Sequence, residues 1–138
     1  MAKTALVTGA SSGIGREIAR DLSARGFRVI LSARREERLR ELAEELGDNT
    51  RVIVCDVSDR EECLRLYEET KSEKISVLVN CAGFGAVGSF DKLPLDTELK
   101  MIDTNVTAVH MLTKLFLKDF VAADRGYICL LYTSDAAD

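Results

Sequence analysis

Three glycines near the amino terminus, Gly9, Gly13 and Gly15, have a spacing that suits phosphate binding. They lie in TGASSGIG (residues 8–15), between a predicted first strand and a predicted first helix, where nucleotide-binding folds place a phosphate-binding turn. We expect Gly9 to permit the tight turn, Gly13 to let the backbone approach a pyrophosphate, and Gly15 to let the helix pack closely. The segment is not a P-loop, because Ile14 rather than a lysine follows Gly13.

The helix that begins in this segment adds an electrostatic argument. Its first amides, at the positive end of the helix dipole, would stabilise a phosphate by roughly 0.3–1 kcal/mol per charge. Ser11 and Ser12 add hydroxyl donors. A glycine turn alone could be only a turn, but its position after the first strand of an alternating chain predicts dinucleotide binding.

That alternation runs through the whole chain. Short apolar runs predict buried strands, and apolar residues at helical spacing predict amphipathic helices between them. The predicted strands are residues 4–8, 28–32, 51–55, 76–80 and 127–131. The first two helices end at Gly26 and Gly47, Ser58 or Asp59 caps the third, and a glycine-rich loop (81–95) precedes a long fourth helix, about 96–122.

The strands lack polar and apolar alternation, which indicates parallel strands covered on both faces. The sequence therefore predicts a doubly wound α/β sheet with helices on both faces. In the long helix we expect one apolar side formed by Leu99, Ile102, Val106, Val109, Thr113, Phe116 and Phe120.

Composition excludes several other functions. The chain has 138 residues, a net charge of −4 and a pI near 5.1, so nucleic-acid binding is not expected. No apolar run is long enough to span a bilayer, and no secretory signal is evident. Cys55, Cys63, Cys81 and Cys129 show no metal-binding spacing, which indicates reduced thiols in a cytoplasmic protein without a metal site.

The segment TGASSGIG and the tetrapeptide NCAG (residues 80–83), which closes the fourth strand, together resemble the classical short-chain dehydrogenase/reductase family. Asp56-Val57 and DTNVTAV (residues 103–109) fit the same resemblance, which covers nearly the whole chain. It implies a Rossmann-type sheet of strand order 3-2-1-4-5. It also implies hydride transfer between a nicotinamide cofactor and a small carbonyl or alcohol substrate, usually in a homo-oligomer.

The resemblance also assigns roles to individual residues. In the glycine segment, Gly9, Ser11, Ser12, Gly13, Ile14 and Gly15 would surround the pyrophosphate and adenosine ribose. Asp56 would bind the adenine amino group, with Val57 against the ring. At the end of the fourth strand, Asn80, Ala82 and Gly83 would stabilise the sheet and line the cofactor. Asn105 would hold a water of the proton relay, or it could be only a helix-kink or capping residue.

The end of the second strand indicates which cofactor is preferred. A carboxylate there would hold the ribose 2′-hydroxyl of NAD and repel the 2′-phosphate of NADP. The sequence instead reads Ser-Ala-Arg-Arg (residues 32–35), without a carboxylate. A charge-assisted contact from Arg34 is worth about 1.5–3 kcal/mol, or about 10- to 150-fold. We therefore expect NADP(H) to be preferred over NAD(H).

The family's proton donor, a tyrosine followed four residues later by a lysine, belongs on a helix after the fifth strand. Tyr67 and Lys71 match the letters of this motif but lie before the fourth strand, so we expect no catalytic role. Ser134 lies near the position expected for the family's serine, but its surroundings do not fit. The chain is thus expected to keep cofactor binding and to lack catalysis.

The final ten residues are CLLYTSDAAD (129–138). They are the translation of the nucleotide string TGTCTCTTATACACATCTGACGCTGCCGAC, which resembles an adapter of transposase-based sequencing libraries. We therefore expect residues 1–128 to be an incomplete NADP-binding domain and residues 129–138 to be an artefactual tail. Two alternatives stay open. One is a non-catalytic, regulatory dinucleotide-binding module, and the other is an epimerase or dehydratase on the same scaffold.

Overall fold

A computed structural model describes residues 2–131 of the chain. Its five strands form one parallel sheet in the order β3-β2-β1-β4-β5, which confirms the predicted fold class. The strands are β1 Thr4–Thr8, β2 Arg28–Ala33, β3 Thr50–Val54, β4 Ile75–Asn80 and β5 Tyr127–Leu130. The α-helices are α1 Gly13–Ala24, α2 Glu36–Leu46, α3 Arg60–Thr70, α4 Leu95–Ile102 and α5 Ala108–Ala123.

Two apolar layers sandwich the sheet because successive side chains of a strand point to opposite faces. Leu6 of β1 belongs to the layer that includes buried residues of α3 and α5. Its neighbour Val7 belongs to the layer that includes residues of α1 and α2. Both are fully buried, as expected of a central parallel strand covered by helices on each side.

The long fourth helix is not one regular helix. A five-residue π-helical turn, Asp103–Thr107, separates α4 from α5. Such a turn holds one extra residue and rotates the faces of the two flanking helices relative to each other. A single 3.6-residue period across residues 96–122 therefore cannot describe the buried face.

The apolar side expected for that helix is accordingly only half correct. Phe116 and Phe120 are buried, but Leu99, Ile102 and Val106 are exposed. The buried positions instead recur every four residues at Thr104, Ala108, Leu112, Phe116 and Phe120.

Within residues 2–131, β5 is the last strand on its side of the sheet. Tyr127 and Leu130 are exposed on this strand. Cys129 also belongs to β5, pairing with Val79, so the strand extends two residues past the expected domain end at residue 128. Within residues 2–131, no helix is both long and apolar enough to cross a membrane.

Candidate functional site

A cavity of about 330 Å³ lies at the carboxyl ends of the central strands, and we call it the carboxyl-end cavity. In a doubly wound sheet this edge is where ligands bind. The cavity is lined by residues 9, 11–15, 32–35, 56–57, 81–84, 104 and 131. Eleven of the twelve residues that the sequence analysis assigned to cofactor binding are among them: Gly9, Ser11, Ser12, Gly13, Ile14, Gly15, Arg34, Asp56, Val57, Ala82 and Gly83.

Asn80 is the one assigned residue that does not line the cavity. Its side chain is 4% exposed and donates a hydrogen bond to the hydroxyl of Thr113 on α5, at 3.4 Å. This contact connects the end of β4 to the helix behind it. Asn80 is expected to stabilise the sheet and to line the cofactor, and this geometry fits the first of these roles.

The turn after β1 is packed so closely that it requires glycine. Gly9 has φ +64, and a Cβ atom there would lie 2.7 Å from the backbone nitrogen of Ala82. At Gly15 a Cβ atom would collide with the carbonyl oxygen of Gly9. The third glycine therefore allows α1 to begin directly against the turn.

Gly13 differs from the other two because no atom lies within 4 Å of where its Cβ would be. Gly13 is the first residue of α1, has a φ of +57 and borders the cavity. Ser12 is the N-cap residue, yet its side chain makes no capping hydrogen bond, and the first turn carries no acidic residue. The positive end of the α1 dipole and its amides are thus left uncompensated, which suits an anion.

Thr8 fixes the glycine turn to the neighbouring strand. Its hydroxyl donates to the carbonyl oxygen of Val79 at 3.3 Å. It also accepts hydrogen bonds from the backbone amides of Cys81 and Ala82, each at 3.2 Å. No role for Thr8 is predicted from the sequence, where only its position at the end of a central strand could indicate one.

At the end of β2, Ser32 has a buried hydroxyl without a partner. The residue is 1% exposed, and its Oγ forms no hydrogen bond within the described part of the chain. Buried hydroxyls are nearly always hydrogen-bonded, so a lone one that borders a cavity indicates a place for a polar ligand group. Arg34 and Arg35 line the cavity beside it and form no ion pair with any residue between 2 and 131.

Asp56 and Val57 follow β3 on the same side of the cavity. The Oδ1 atom of Asp56 accepts hydrogen bonds from the amide of Ser58 at 3.0 Å and from its hydroxyl at 2.7 Å. Val57 is buried. The carboxylate is therefore held in place beside an apolar surface, as a site for a flat heterocycle requires.

Asn105 lies in the π-helical turn, next to the cavity lining. Its Nδ2 donates to the carbonyl oxygen of Phe84 at 2.8 Å, and its Oδ1 accepts from the Phe84 amide at 3.0 Å. A Cβ atom at Gly83 would approach that Oδ1 atom to 2.8 Å. The side chain thus clamps the glycine-rich loop, and its expected part in a proton relay stays a prediction.

Comparison with known proteins adds a family to this geometry. The sequence matches the profile described as short chain dehydrogenase over residues 3–137. The chain belongs to the short-chain dehydrogenase family. It is 36% identical over 132 residues to an uncharacterized oxidoreductase of Staphylococcus saprophyticus, covering 91% of this chain and 56% of that protein.

Two further family members are similar to this chain, one in sequence and one in structure. The 3-oxoacyl-[acyl-carrier-protein] reductase of Rickettsia prowazekii is 36% identical over 126 residues, which cover 91% of this chain and 52% of the reductase. A metagenomic short-chain oxidoreductase solved in complex with NADP has a TM-score of 0.86 and 34% identity, covering 91% of this chain and 59% of that one. The chain thus spans about half the length of the curated relatives it matches.

Tyr67 and Lys71, which imitate the family's catalytic motif, lie away from the carboxyl-end cavity. The Tyr67 hydroxyl donates a hydrogen bond to Asp119 on α5 at 2.7 Å, and Lys71 follows at the end of α3. The hydrogen bond to the Asp119 carboxylate raises the pKa of Tyr67 to about 12, with a further contribution from burial. A catalytic tyrosine needs a lowered pKa, so this pair is structural. Ser134 lies outside the described residues.

Three of the four thiols are unsuited to nucleophilic chemistry. Burial raises the pKa of Cys55 to about 12 and the pKa values of Cys63 and Cys81 to about 11. At neutral pH these thiols are protonated, and only the thiolate is a strong nucleophile. Across residues 2–131, no group of three or more His, Cys, Asp or Glu side chains is arranged to hold a metal ion.

Proposed function

We propose that the chain is the dinucleotide-binding half of an NADP(H)-dependent oxidoreductase that transfers hydride between the cofactor and a small carbonyl or alcohol. The observation that carries this proposal is the convergence of four separate segments on the carboxyl-end cavity. They bring together the N-terminus of α1, the buried Ser32 hydroxyl and two guanidinium groups, none of which has a capping, hydrogen-bond or ion-pair partner among residues 2–131. Family membership supports the same reaction class.

The residues fit a dinucleotide at each point where the fit can be tested. The amides after Gly13 would hold the pyrophosphate, since that residue opens directly onto the cavity. Asp56 and Val57 would hold the adenine, and Ala82 and Gly83 would border the remainder of the cofactor. When bound, the nicotinamide supplies hydride chemistry, and this chain's part is to bind and orient it.

NADP(H) is the proposed cofactor rather than NAD(H). The hydroxyl of Ser32 has no partner in the described chain, and Arg34 lies beside it. A 2′-phosphate would give the hydroxyl an acceptor and the guanidinium an anion. The solved oxidoreductase with NADP supports this choice by similarity.

NADPH and NADH titrations test this proposal. The chain is expected to bind NADPH more tightly by about 10- to 150-fold, which is the worth of one charge-assisted contact. Arg34→Ala should remove most of that difference while leaving NADH affinity nearly unchanged. Arg38→Ala is the matched control, because it removes an exposed guanidinium that does not line the cavity. Equal affinities of the unmodified chain for NADPH and NADH would contradict the proposed preference.

We further propose that this chain binds the cofactor without turning over a carbonyl. Among the described residues, Tyr67 of the tyrosine-lysine pair is hydrogen-bonded to Asp119 and Lys71 is ion-paired with Glu68. Neither residue lines the carboxyl-end cavity. The measurement is NADPH consumption by the purified chain in the presence of a carbonyl compound. Consumption that depends on the carbonyl compound would contradict the proposed lack of turnover. The assignment of residues 129–138 to a sequencing adapter stays a prediction.

Self-association of the full-length protein is also proposed. Leu95, Leu99, Ile102 and Val106 are exposed along α4 and the π-helical turn, and Val121 is exposed on α5. Exposed apolar side chains at helical spacing are typical of interaction faces, and a second copy is the usual partner of such a face. A cytoplasmic location is proposed from the four free thiols, which suit a reducing compartment.

A further inference from the structure

A second cavity, of about 350 Å³, lies at the opposite edge of the sheet, and we call it the amino-end cavity. Ile75, the first residue of β4, marks its position, and the last two turns of α5 form one wall. Lys71 and Lys74, which flank the turn between α3 and β4, form the other side, and Arg125 precedes β5. None of these residues borders the carboxyl-end cavity, so the two cavities can bind ligands independently.

The floor of the amino-end cavity is apolar and closely packed. Ile75, Phe116 and Phe120 are 8%, 1% and 6% exposed, and the two phenylalanine rings lie 6.3 Å apart. A Cβ atom at Gly126 would collide with the Phe120 ring, so the chain passes directly over it. Rings packed this closely keep their positions, and the floor is therefore formed before any ligand binds.

The mouth of the cavity carries a positive charge that the chain as a whole lacks. Its lining includes three cations, Lys71, Lys74 and Arg125, and one carboxylate, Asp119, in a protein whose net charge is −4. Asp119 accepts the Tyr67 hydroxyl, and Lys71 pairs with Glu68 at 2.6 Å. Neither Lys74 nor Arg125 has an ion pair or a side-chain hydrogen bond within residues 2–131.

The backbone that presents these two cations is unusual. Lys74 and Asp124 are the only non-glycine residues with positive φ in the described chain, at +55 and +54. Lys74 follows a short 3₁₀ helix, Lys71–Glu73, and Asp124 ends α5. Glycine is normally preferred at such helix ends. A lysine there costs conformational energy, and such outliers concentrate at functional sites. Lys74 is itself one of the two cations without an ion pair in the described chain, and Asp124 directly precedes the other, Arg125.

We propose that the amino-end cavity binds an amphiphilic monoanion, a medium-chain carboxylate, with its tail on the aromatic floor and its head between Lys74 and Arg125. The volume is at the lower end of the range for small-molecule sites, about 300–1,000 Å³. An inorganic anion would leave the apolar floor unused, and a neutral amphiphile would leave the cations unused. The proposal does not depend on the function of the carboxyl-end cavity.

Titration of the isotopically labelled 138-residue chain with octanoate tests the proposal, with amide resonances as the readout. The expected result is saturable shifts at Ile75, Phe120 and Ala123, with the amides around Gly13 unaffected. Octanol and inorganic phosphate are the comparison probes. Octanol lacks the charge and should bind more weakly by about 1.4- to 5-fold for each ion pair lost, the usual worth of an exposed pair. Inorganic phosphate keeps a charge but lacks the tail, and it should bind more weakly because it leaves the apolar floor uncovered. Equal binding of either probe, or shifts centred on the glycine turn, would overturn the proposal.

Lys74→Gly is the most informative variant because glycine accepts a φ of +55 without strain, so the fold is not endangered. It should weaken octanoate binding by about 1.4- to 5-fold, the usual worth of an exposed ion pair. The double variant with Arg125→Gln should weaken it by about 2- to 30-fold, if the two contacts are additive. Lys100→Ala, which removes an exposed cation of α4 outside the cavity, is the matched control. Unchanged octanoate affinity in Lys74→Gly would refute the proposed site.

Discussion

Gly9 and Gly13 offer a matched pair for testing how the phosphate-binding turn is built. Both have φ near +60, so alanine at either position has the same backbone penalty. They differ in their surroundings. A Cβ atom at Gly9 would lie 2.7 Å from the Ala82 nitrogen, whereas at Gly13 no atom lies within 4 Å. The difference between Gly9→Ala and Gly13→Ala therefore isolates the close packing of the turn against the end of β4.

The magnitudes follow from this comparison. A left-handed alanine costs about 1–2 kcal/mol, and the lower entropy of its unfolded chain offsets about 0.4–1 kcal/mol. Gly13→Ala should therefore lower the free energy of unfolding by about 1 kcal/mol. Gly9→Ala has the same cost and adds overpacking against backbone, typically about 1–3 kcal/mol. We expect Gly9→Ala to be the less stable variant by about 1–3 kcal/mol.

Urea unfolding followed by circular dichroism measures both free energies, and NADPH titration of the folded variants supplies a second readout. Gly13→Ala should stay folded and yet bind NADPH more weakly, because its methyl group would occupy the place proposed for the pyrophosphate. Equal losses of stability in the two variants would refute the packing argument. Normal NADPH affinity in Gly13→Ala would instead contradict the proposed position of the cofactor and leave the packing argument intact.

Two further predictions concern side-chain contacts. Tyr67 should ionise near pH 12 in a tyrosinate absorbance titration, and Asp119→Asn should lower that pKa, since the hydrogen bond to the carboxylate is the main cause of the rise. Because the folded-state pKa lies above the ordinary value of 10, this contact contributes stability below pH 10 that is lost towards pH 12, and Tyr67→Phe should flatten that loss. Asn105→Ala should increase hydrogen exchange at the Phe84 amide and reduce stability by about 1 kcal/mol, the usual net worth of a hydrogen bond. Unchanged exchange at Phe84 would show that the clamp is dispensable.

The fold was predictable because each strand can be recognised from a few consecutive residues. Residues 5–7 and 77–79 are continuous apolar runs, which are typical of strands in a sheet covered on both faces. The glycine turn was predictable for a similar reason, since its position follows from the strand before it and the helix after it. Eleven of the twelve assigned residues consequently lie around one cavity, although their binding roles stay predictions.

Features that depend on tertiary contacts were not predictable. The sequence DTNVT gives no sign that it forms a π-helical turn. The turn coincides with the hydrogen bonds between Asn105 and Phe84, and a local sequence pattern does not reveal such a long-range contact. Spacing alone therefore assigned Val106 to the buried face, which it does not join. Ser32 could likewise not be predicted as a site residue. A buried hydroxyl indicates a ligand site only when the structure shows that it has no hydrogen-bond partner.

The two cavities explain why a matching motif can be functionally misleading. Tyr67 and Lys71 have the correct letters and the correct spacing, but parallel strands give the two edges of the sheet different chemistry. At the carboxyl edge, α1 begins, and its amides and the side chains that follow the strands converge there. At the amino edge, helices end, so that site relies on side-chain cations such as Lys74. A motif near Ile75 therefore cannot reach a ligand held at Gly13, whatever its letters.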